Sequence, residues 1–308
     1  MPSSKRILVT GGAGFIGSHL VDRLLHDHHE VWVIDDLSHG KVENLSDSAH
    51  LIVAGISQIS EIPELNNNQT FDIIYHLAAQ ADITTSLIDP IADAQINIIG
   101  TLQVLAWAFH QKNTQFIFAS SCAVYGDPEQ LPVTESTPVN PISPYGIAKY
   151  SSERYIRAFC ELRQIPYIIF RFGNVYGPRQ ASDNEGGVVS IFTDRLLRGE
   201  PCAIFGDGHQ TRDFVYVHDI VQALVMAQRT KENHLIQLSG QKPISIIELY
   251  QKIGQLTNCS TKPNYASPRS GEVKHIYLAN QFAHKTLNWQ PQYSIDEGLT
   301  EVIGFFRK

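Results

Sequence analysis

The chain has 308 residues, of which 43% are hydrophobic, enough for one or two domains with packed cores. Its formal charge is −7, from 24 Lys and Arg against 31 Asp and Glu, which argues against a general nucleic-acid binder. No segment approaches the roughly 18 apolar residues of a membrane helix. The apolar run at Ile7 is too short for a signal peptide, so we predict a soluble, cytoplasmic protein. The four cysteines form no CxxC pair and are expected to be reduced structural thiols.

The first 173 residues alternate strand-like and helix-like patterns. Apolar runs without alternation, typical of strands buried on both faces, occur at 7–10, 31–34, 71–76, 115–119 and 167–170. Between the first two runs, apolar residues recur with helical spacing from Phe15 to Leu25. Strands that alternate with helices indicate βαβ units. We therefore predict an α/β fold with a Rossmann-type doubly wound parallel sheet.

The pattern changes after Asn174. Prolines and glycines between Pro178 and Gly208 divide the chain into loops and short elements. Residues 213–228 indicate a strand followed by an amphipathic helix, and we expect about 213–238 to return to the first domain. The sequence thus predicts a Rossmann domain over 1–173 and a smaller α/β domain over 174–308.

A glycine-rich turn lies between the first strand and the first helix. Residues 11–17 read GGAGFIG, which contains both Gly-x-Gly-x-x-Gly and Gly-x-x-Gly-x-x-Gly. Glycines let a pyrophosphate approach the backbone, and the helix N-terminus offers it free N–H groups. Because the motif follows a strand and opens a helix, it predicts a dinucleotide site.

An acidic residue indicates which dinucleotide is bound. Asp35 closes the second predicted strand, downstream of the glycine turn. A carboxylate at this place accepts hydrogen bonds from the adenosine ribose and repels a 2′-phosphate, which favours NAD over NADP. The alternative is that Asp35 only caps the end of its strand.

A serine, a tyrosine and a lysine form a candidate catalytic group. Ser121 follows the predicted strand at 115–119, and ligands bind at the carboxyl ends of parallel strands. Tyr145 and Lys149 are four residues apart behind Pro144, which suits the first turn of a helix. A neighbouring ammonium and a positive nicotinamide would favour the phenolate and lower the tyrosine pKa. Alone, Tyr-x-x-x-Lys would be a solvated helix face.

These motifs resemble the extended short-chain dehydrogenase/reductases, the NAD-dependent epimerase/dehydratase family. The resemblance is closest to the UDP-hexose and UDP-N-acetylhexosamine 4-epimerases and covers essentially the whole chain. It extends to four further segments, which read HLAAQ at 76–80, SS at 120–121, RFGN at 171–174 and GHQTRDFV at 208–215.

The resemblance implies NAD as cofactor, a UDP-sugar as substrate, a homodimer and no metal. The cofactor contacts it implies are Gly11, Gly14, Phe15, Ile16, Gly17, Asp35, Asp36, Leu77, Ala78, Ala79, Gln80, Asn97, Tyr145 and Lys149. The substrate contacts it implies are Ser121, Tyr145, Asn174, Val189, Ala203, Phe205, Arg212, Arg269, Glu272 and Ile276.

The implied reaction is inversion at C4 of the sugar through a 4-keto intermediate. Tyr145 would take the proton of the 4-hydroxyl, Ser121 would hydrogen-bond that hydroxyl, and Lys149 would tune Tyr145. Family members that eliminate water usually carry an Asp-Glu pair after the serine, whereas this chain has Cys122 and Ala123. The alternatives are a UDP-uronate epimerase, a 4,6-dehydratase, a 4-keto reductase or a non-catalytic NAD-binding protein.

Three positions depart from the family pattern or adjust it. Gly55 stands where an acid usually contacts adenine. Asn280 stands where the family usually has Asp, and either residue can cap a helix. Ile276 lies where tyrosine restricts the site to plain hexoses and smaller residues admit N-acetyl groups. An intermediate residue without a hydroxyl leans towards acceptance of N-acetylated sugars.

Overall fold

The computed structural model describes residues 4–66, 70–111, 113–183, 186–268 and 273–307. Its strands are β1 (Arg6–Thr10), β2 (Glu30–Asp35), β3 (His50–Val53), β4 (Ile73–His76), β5 (Gln115–Ser121), β6 (Tyr167–Phe172), β7 (Asn174–Tyr176), β8 (Ala203–Phe205), β9 (Thr211–Tyr216), β10 (His234–Leu238), β11 (Pro243–Ser245) and β12 (Asn264–Ala266). Its α-helices are α1 (Phe15–His26), α2 (Pro63–Asn66), α3 (Ile83–Ile88), α4 (Pro90–Ala94), α5 (Thr101–Ala108), α6 (Pro144–Arg163), α7 (Val188–Leu197), α8 (Val217–Met226), α9 (Ile246–Thr257), α10 (Gln281–Leu287) and α11 (Ile295–Phe306). A π-helix, Gln95–Gly100, joins α4 to α5.

Seven strands form the main sheet, in the order β10-β6-β5-β4-β1-β2-β3. Neighbouring strands among β1 to β5 pair in parallel, and β1 lies between β2 and β4. The reversal of strand order at β1 places the carboxyl ends of β1 and β4 where doubly wound sheets bind ligands. The predicted Rossmann-type fold is confirmed.

The described chain divides into two compact units. Unit 1 comprises the chain up to Val124 together with Ser143–Arg171 and Val221–Ile236. Unit 2 comprises Tyr125–Ile142, Phe172–Ile220 and the chain from Gln237 onwards. The units differ from the predicted domains because residues 125–142 belong to unit 2 and the returning segment is shorter than 213–238.

Unit 1 is built on the apolar runs of its strands. Leu8, Ile74, Phe116 and Ile169, from four neighbouring strands, are all fully buried in one core cluster. Trp107 of α5 is 4% exposed and belongs to the same cluster. Burial of both sheet faces explains why these strands show no polar alternation.

Unit 2 contains two small sheets, in the orders β11-β9-β7 and β12-β8. Asp213 of β9 is 1% exposed and its Oδ2 accepts a hydrogen bond from the Leu278 N–H at 3.1 Å. Asn280 lies at the N-cap of α10, but its side chain makes no cap hydrogen bond. It instead exchanges hydrogen bonds with the backbone of Ser239, which ties the start of α10 to the segment that follows β10. Asn280 is thus the N-cap residue of α10, as the sequence allowed, but it does not cap the helix through its side chain.

Candidate active site

Two glycines shape the turn between β1 and α1. Gly11 has a φ of +71°, and a Cβ there would lie 2.7 Å from the backbone nitrogen of Ala78. A Cβ on Gly17 would collide with the carbonyl oxygen of Gly11. Only glycine therefore lets this turn lie against the segment after β4 and lets α1 start close to β1.

The N-terminus of α1 fits the pyrophosphate of a dinucleotide. Gly14 is the N-cap residue and offers no side chain to the first N–H groups of the helix. A Cβ built on Gly14 would meet nothing nearer than the Gly11 carbonyl oxygen at 3.4 Å. Open backbone donors at the positive end of the helix dipole are what a phosphate requires.

Asp35 holds the loop after β2 against the glycine turn. Its carboxylate is buried, with Oδ2 accepting the Ala13 N–H and Oδ1 accepting the Leu37 N–H, both at 2.9 Å. Each oxygen has a second lone pair, so the carboxylate can still accept a ribose hydroxyl. Asp36 is exposed, and its Oδ1 accepts hydrogen bonds from Ser38. The residues present therefore fit NAD.

The segment after β4 is tied to the π-helix through Asn97. Its Nδ2 donates to the carbonyl of Gln80 and to Oδ1 of Asp93, both at 2.9 Å. Asn97 Oδ1 and Asp93 Oδ2 are buried, and within the described ranges neither accepts a hydrogen bond. Two buried acceptors therefore lie beside the predicted cofactor segment 77–80.

Strand β5 and helix α6 bring the three predicted catalytic residues together within unit 1. Ser121 is the last residue of β5, and Tyr145 and Lys149 lie one turn apart at the start of α6. Ser143 caps this helix by accepting the N–H of Gly146 at 3.2 Å. The Ser121 and Tyr145 side chains are hydrogen-bonded, and Lys149 Nζ lies 5.9 Å from the centre of the Tyr145 ring.

Lys149 is deeply buried for a cation. It is 3% exposed, and its Nζ donates to the Ala119 carbonyl at 2.9 Å and lies 4.9 Å from the centre of the Phe118 ring. Burial lowers the pKa of Lys149 to about 8, although the carboxylates of Asp93 and Glu153 act in the opposite direction. Near neutral pH the ammonium thus depends on these two acids.

Burial also determines the ionisation of Tyr145. Its pKa is raised above the ordinary value, chiefly because burial penalises the phenolate, while the hydrogen bond with Ser121 opposes the rise. The sequence led us to expect a lowered pKa for Tyr145. That expectation depends on the Lys149 ammonium together with a positive nicotinamide, and it stays a prediction.

A buried ionic network connects β5, α6 and β6 next to the predicted catalytic residues. Glu153, one turn after Lys149 on α6, accepts two hydrogen bonds from Arg171 of β6, at 2.9 and 2.6 Å. The hydroxyl of Ser120, next to Ser121, donates to the same carboxylate. The Glu153 and Arg171 side chains are only 1% and 3% exposed. The network therefore fixes the end of β5 against α6.

Apart from Ser121 and Tyr145, the predicted substrate contacts that the structure describes all lie in unit 2. Asn174 begins β7, and Arg212 lies on the adjacent β9. A parallel bridge between Thr211 and His275 places the next residues, Arg212 and Ile276, on paired segments, and Ile276 is 4% exposed. Val189 is buried in α7, and Ala203 and Phe205 are the ends of β8. Arg269 and Glu272 lie outside the described residues.

Sequence reasoning missed two acids of this site. Glu153 lies eight residues after Tyr145, on the same face of α6, and this spacing was the available signal. Asp93 lies four residues before Asn97, but a break into a π-helix separates them, so helical periodicity gave no reliable signal.

Two classes of site are not found. In the part of the chain that the structure describes, no group of three His, Cys, Asp or Glu residues could hold a metal ion. In the same ranges, no helix is both long and apolar enough to cross a membrane.

Comparisons with known proteins agree with this geometry. The family model described as the NAD dependent epimerase/dehydratase family matches residues 7–238. The fold is similar to UDP-glucose 4-epimerase of Thermotoga maritima with UDP-glucose, at TM-score 0.95 and 40% identity over 98% of each chain. It is also similar to a UDP-N-acetylglucosamine 4-epimerase of Methanobrevibacter ruminantium, at TM-score 0.93 and 32% identity over 99% of each chain. UDP-glucuronic acid 4-epimerase of Bacillus cereus, in complex with UDP-glucuronic acid and NAD, has TM-score 0.90 and 32% identity, covering 98% of this chain and 99% of that one.

Proposed function

The chain belongs to the NAD dependent epimerase/dehydratase family, and on that premise we propose that it is a UDP-sugar 4-epimerase. One observation carries the proposal: Ser121, Tyr145 and Lys149 meet at the end of β5 in the unit that holds the glycine turn. The reaction inverts C4 of the sugar through a transient 4-keto intermediate. Its substrate is UDP-GlcNAc or UDP-GalNAc, UDP-Glc or UDP-Gal, or both pairs.

The catalytic residues bind the sugar 4-hydroxyl and transfer its proton. Ser121 hydrogen-bonds the sugar 4-hydroxyl, and Tyr145 removes its proton and later returns it. Lys149 supplies the positive charge that stabilises the Tyr145 phenolate during the transfer. The cofactor, when bound, supplies a reversible hydride acceptor, so no net oxidation follows.

The cofactor contacts follow from the geometry of unit 1. The backbone from Gly14 to Gly17 would hold the pyrophosphate, and Asp35 would hold the adenosine ribose. The segment 77–80 and Asn97 would line the nicotinamide half beside Lys149. Gly55 leaves room where an acid would contact adenine, since a Cβ there meets only Ser57 Oγ at 3.6 Å.

The UDP contacts are proposed in unit 2. Arg212 is suited to the diphosphate because a guanidinium makes forked, charge-assisted hydrogen bonds. Asn174 and the backbone at Val189 would contact the same diphosphate, and β8 would run along the uracil. We assign the ribose and a second diphosphate contact to Glu272 and Arg269.

The side chains after Ser121 favour epimerisation over elimination. Loss of water from the sugar needs a proton donor, and Cys122 and Ala123 provide no carboxyl group there. Ile276 is buried and cannot donate a hydrogen bond, so we propose that the site accepts N-acetylated sugars. A UDP-uronate epimerase is the second candidate, because the Bacillus cereus uronate enzyme shares the fold and 32% of the sequence.

The decisive experiment is an assay of the purified protein without added reductant. UDP-GlcNAc, UDP-GalNAc, UDP-Glc and UDP-Gal are offered separately, and the anomeric protons are followed by NMR. Interconversion of C4 epimers supports the proposal and ranks the sugars. No conversion with NAD added contradicts it, and UDP-glucuronic acid is then the first substrate to try.

We also propose that the enzyme is a cytoplasmic homodimer. Neighbouring elements of unit 1 expose apolar side chains, at Ile88, Ile91, Ile147, Tyr155 and Leu162. Ile88 and Ile91 are each 80% exposed, and such patches mark interaction surfaces. Light scattering should give the mass of two chains for the wild type and one for Ile147→Glu, with Val42→Glu as the control. A monomeric wild type would contradict the dimer.

A further inference from the structure

A buried chain of hydrogen bonds connects three segments of unit 1. The Ala78 N–H donates to Thr10 Oγ1 at 3.3 Å, and Thr10 Oγ1 lies 2.7 Å from His76 Nδ1. His76 Nε2 lies 2.9 Å from Thr101 Oγ1, which donates to the Asn97 carbonyl at 2.7 Å. Thr10, His76 and Thr101 are 0%, 0% and 2% exposed. The chain thus runs from the predicted cofactor segment to the π-helix.

The direction of every bond in this chain follows from its last member. A carbonyl only accepts, so the Thr101 hydroxyl proton is used on Asn97. Toward His76, Thr101 Oγ1 must then be the acceptor, and the proton lies on His76 Nε2. In a neutral ring His76 Nδ1 then carries a lone pair, and Thr10 donates its hydroxyl proton to it. Thr10 Oγ1 remains free to accept the N–H of Ala78.

The surroundings of His76 favour a neutral ring. The imidazole stacks on Phe118, with 5.6 Å between ring centres, and is fully buried in the sheet. Burial and the nearby Lys149 charge lower the pKa of His76 to about 3. Among the described residues, Lys149 is thus the titratable group whose charge acts on His76.

We propose that His76, as the neutral Nε2–H tautomer, is a positioning residue for the cofactor. It keeps the segment that begins at Leu77 in register with Asn97, whose side chain holds the other end of that segment at Gln80. His76 also positions the glycine turn, because its partner Thr10 immediately precedes Gly11. This inference rests on the NAD binding proposed above and adds a residue that does not itself touch the dinucleotide.

Two variants at Thr101 separate positioning from mere packing. Thr101→Val keeps the shape but removes the acceptor for His76 Nε2–H, whereas Thr101→Ser keeps the hydroxyl. We expect NAD to leave the purified Thr101→Val holoenzyme about tenfold faster, as for loss of one buried hydrogen-bond partner, and Thr101→Ser to remain within about twofold of the wild type. Release is followed by trapping free NAD with a coupled dehydrogenase. Equal release from all three proteins would overturn the proposal.

The tautomer is tested directly in the wild-type holoenzyme. With ¹⁵N-labelled histidine, the NMR signals that disappear in His76→Gln identify His76. We expect a protonated Nε2 and an unprotonated Nδ1 at neutral pH, and an Nδ1–H tautomer or an imidazolium would overturn the inference even if Thr101→Val failed to fold. A wild type that binds no NAD would instead contradict the proposed function, and the NMR result would still test the hydrogen-bond chain.

Discussion

The two units hold their predicted site residues in different ways. In unit 1, Ser121, Tyr145 and Lys149 lie on the ends of two long elements, and a buried network beneath them involves Glu153 and Arg171. In unit 2, the predicted contacts other than Ile276 lie on short strands and one helix, and Ala203 is exposed. The difference teaches that the residues proposed for proton transfer are fixed by buried polar partners, whereas the residues proposed for the sugar nucleotide lie on separate short elements.

The largest effect is expected from the hydroxyl that moves the proton. Tyr145→Phe removes the acid–base group but keeps the ring, so turnover should fall by at least about 1,000-fold. NMR of the anomeric protons measures turnover. Bound NAD and the affinity for UDP should stay near wild type, and retained activity would contradict the role of Tyr145.

The second effect tests whether unit 1 depends on its buried ion pair. Glu153→Gln leaves the Arg171 charge buried without its partner, and we expect a loss of about 3–5 kcal/mol in the free energy of unfolding. Urea denaturation measures it. The matched control is Lys252→Gln in unit 2, whose pair with Asp296 is more exposed and should contribute less than about 1 kcal/mol. Equal losses in both variants would remove the contrast between the units.

The third effect is the pH dependence of the free energy of unfolding, to which Asp213 in unit 2 and His76 in unit 1 contribute with opposite signs. Burial raises the pKa of Asp213 to about 6, so the folded protein holds a proton that the unfolded chain releases, and stability falls as pH rises through this window. His76 has a lowered pKa and acts oppositely, since acidification destabilises a buried neutral ring.

Asp213→Asn removes the titration of Asp213 and leaves that of His76. We expect the slope of unfolding free energy between about pH 4 and 6 to become more positive, by up to about 1.4 kcal/mol per pH unit. Denaturation across that range measures the slope. An unchanged slope would show that Asp213 does not titrate there.

The smallest effect tests the specificity assigned to unit 2. Ile276→Tyr adds bulk at the proposed gate, so turnover of an N-acetylhexosamine should fall about tenfold more than that of the plain hexose, as for crowding of one substituent. Competing the two UDP-sugars in one NMR sample measures the ratio. Equal losses on both sugars would remove the gate from Ile276.

The sequence predicted the part of the molecule that short motifs determine. The glycine turn, the end of β5 and the register of Tyr145 and Lys149 behind Pro144 are local properties, and the structure has them where expected. The pKa of Tyr145 could not be predicted, because it depends on how deeply tertiary packing buries the ring.

Long-range pairing was equally hidden from the sequence. Asn280 is a residue type that suits a helix N-cap, yet its side chain forms hydrogen bonds with the backbone of Ser239, which lies 41 residues away in the chain. Glu153 of α6 and Arg171 of β6 meet only because the fold brings their two elements together. Contacts of this kind depend on the fold and leave no local pattern to read.

The π-helix between α4 and α5 makes the number of residues in that segment part of its function. A π-helix holds one residue more per turn of hydrogen bonding than an α-helix. Deleting a single residue from 98–100 would let α-helical bonding continue, and the residues before the deletion, Asn97 among them, would rotate by about 100° relative to α5. Asn97 would then point away from Gln80. We therefore expect natural variation here to consist of substitutions, with insertions and deletions absent.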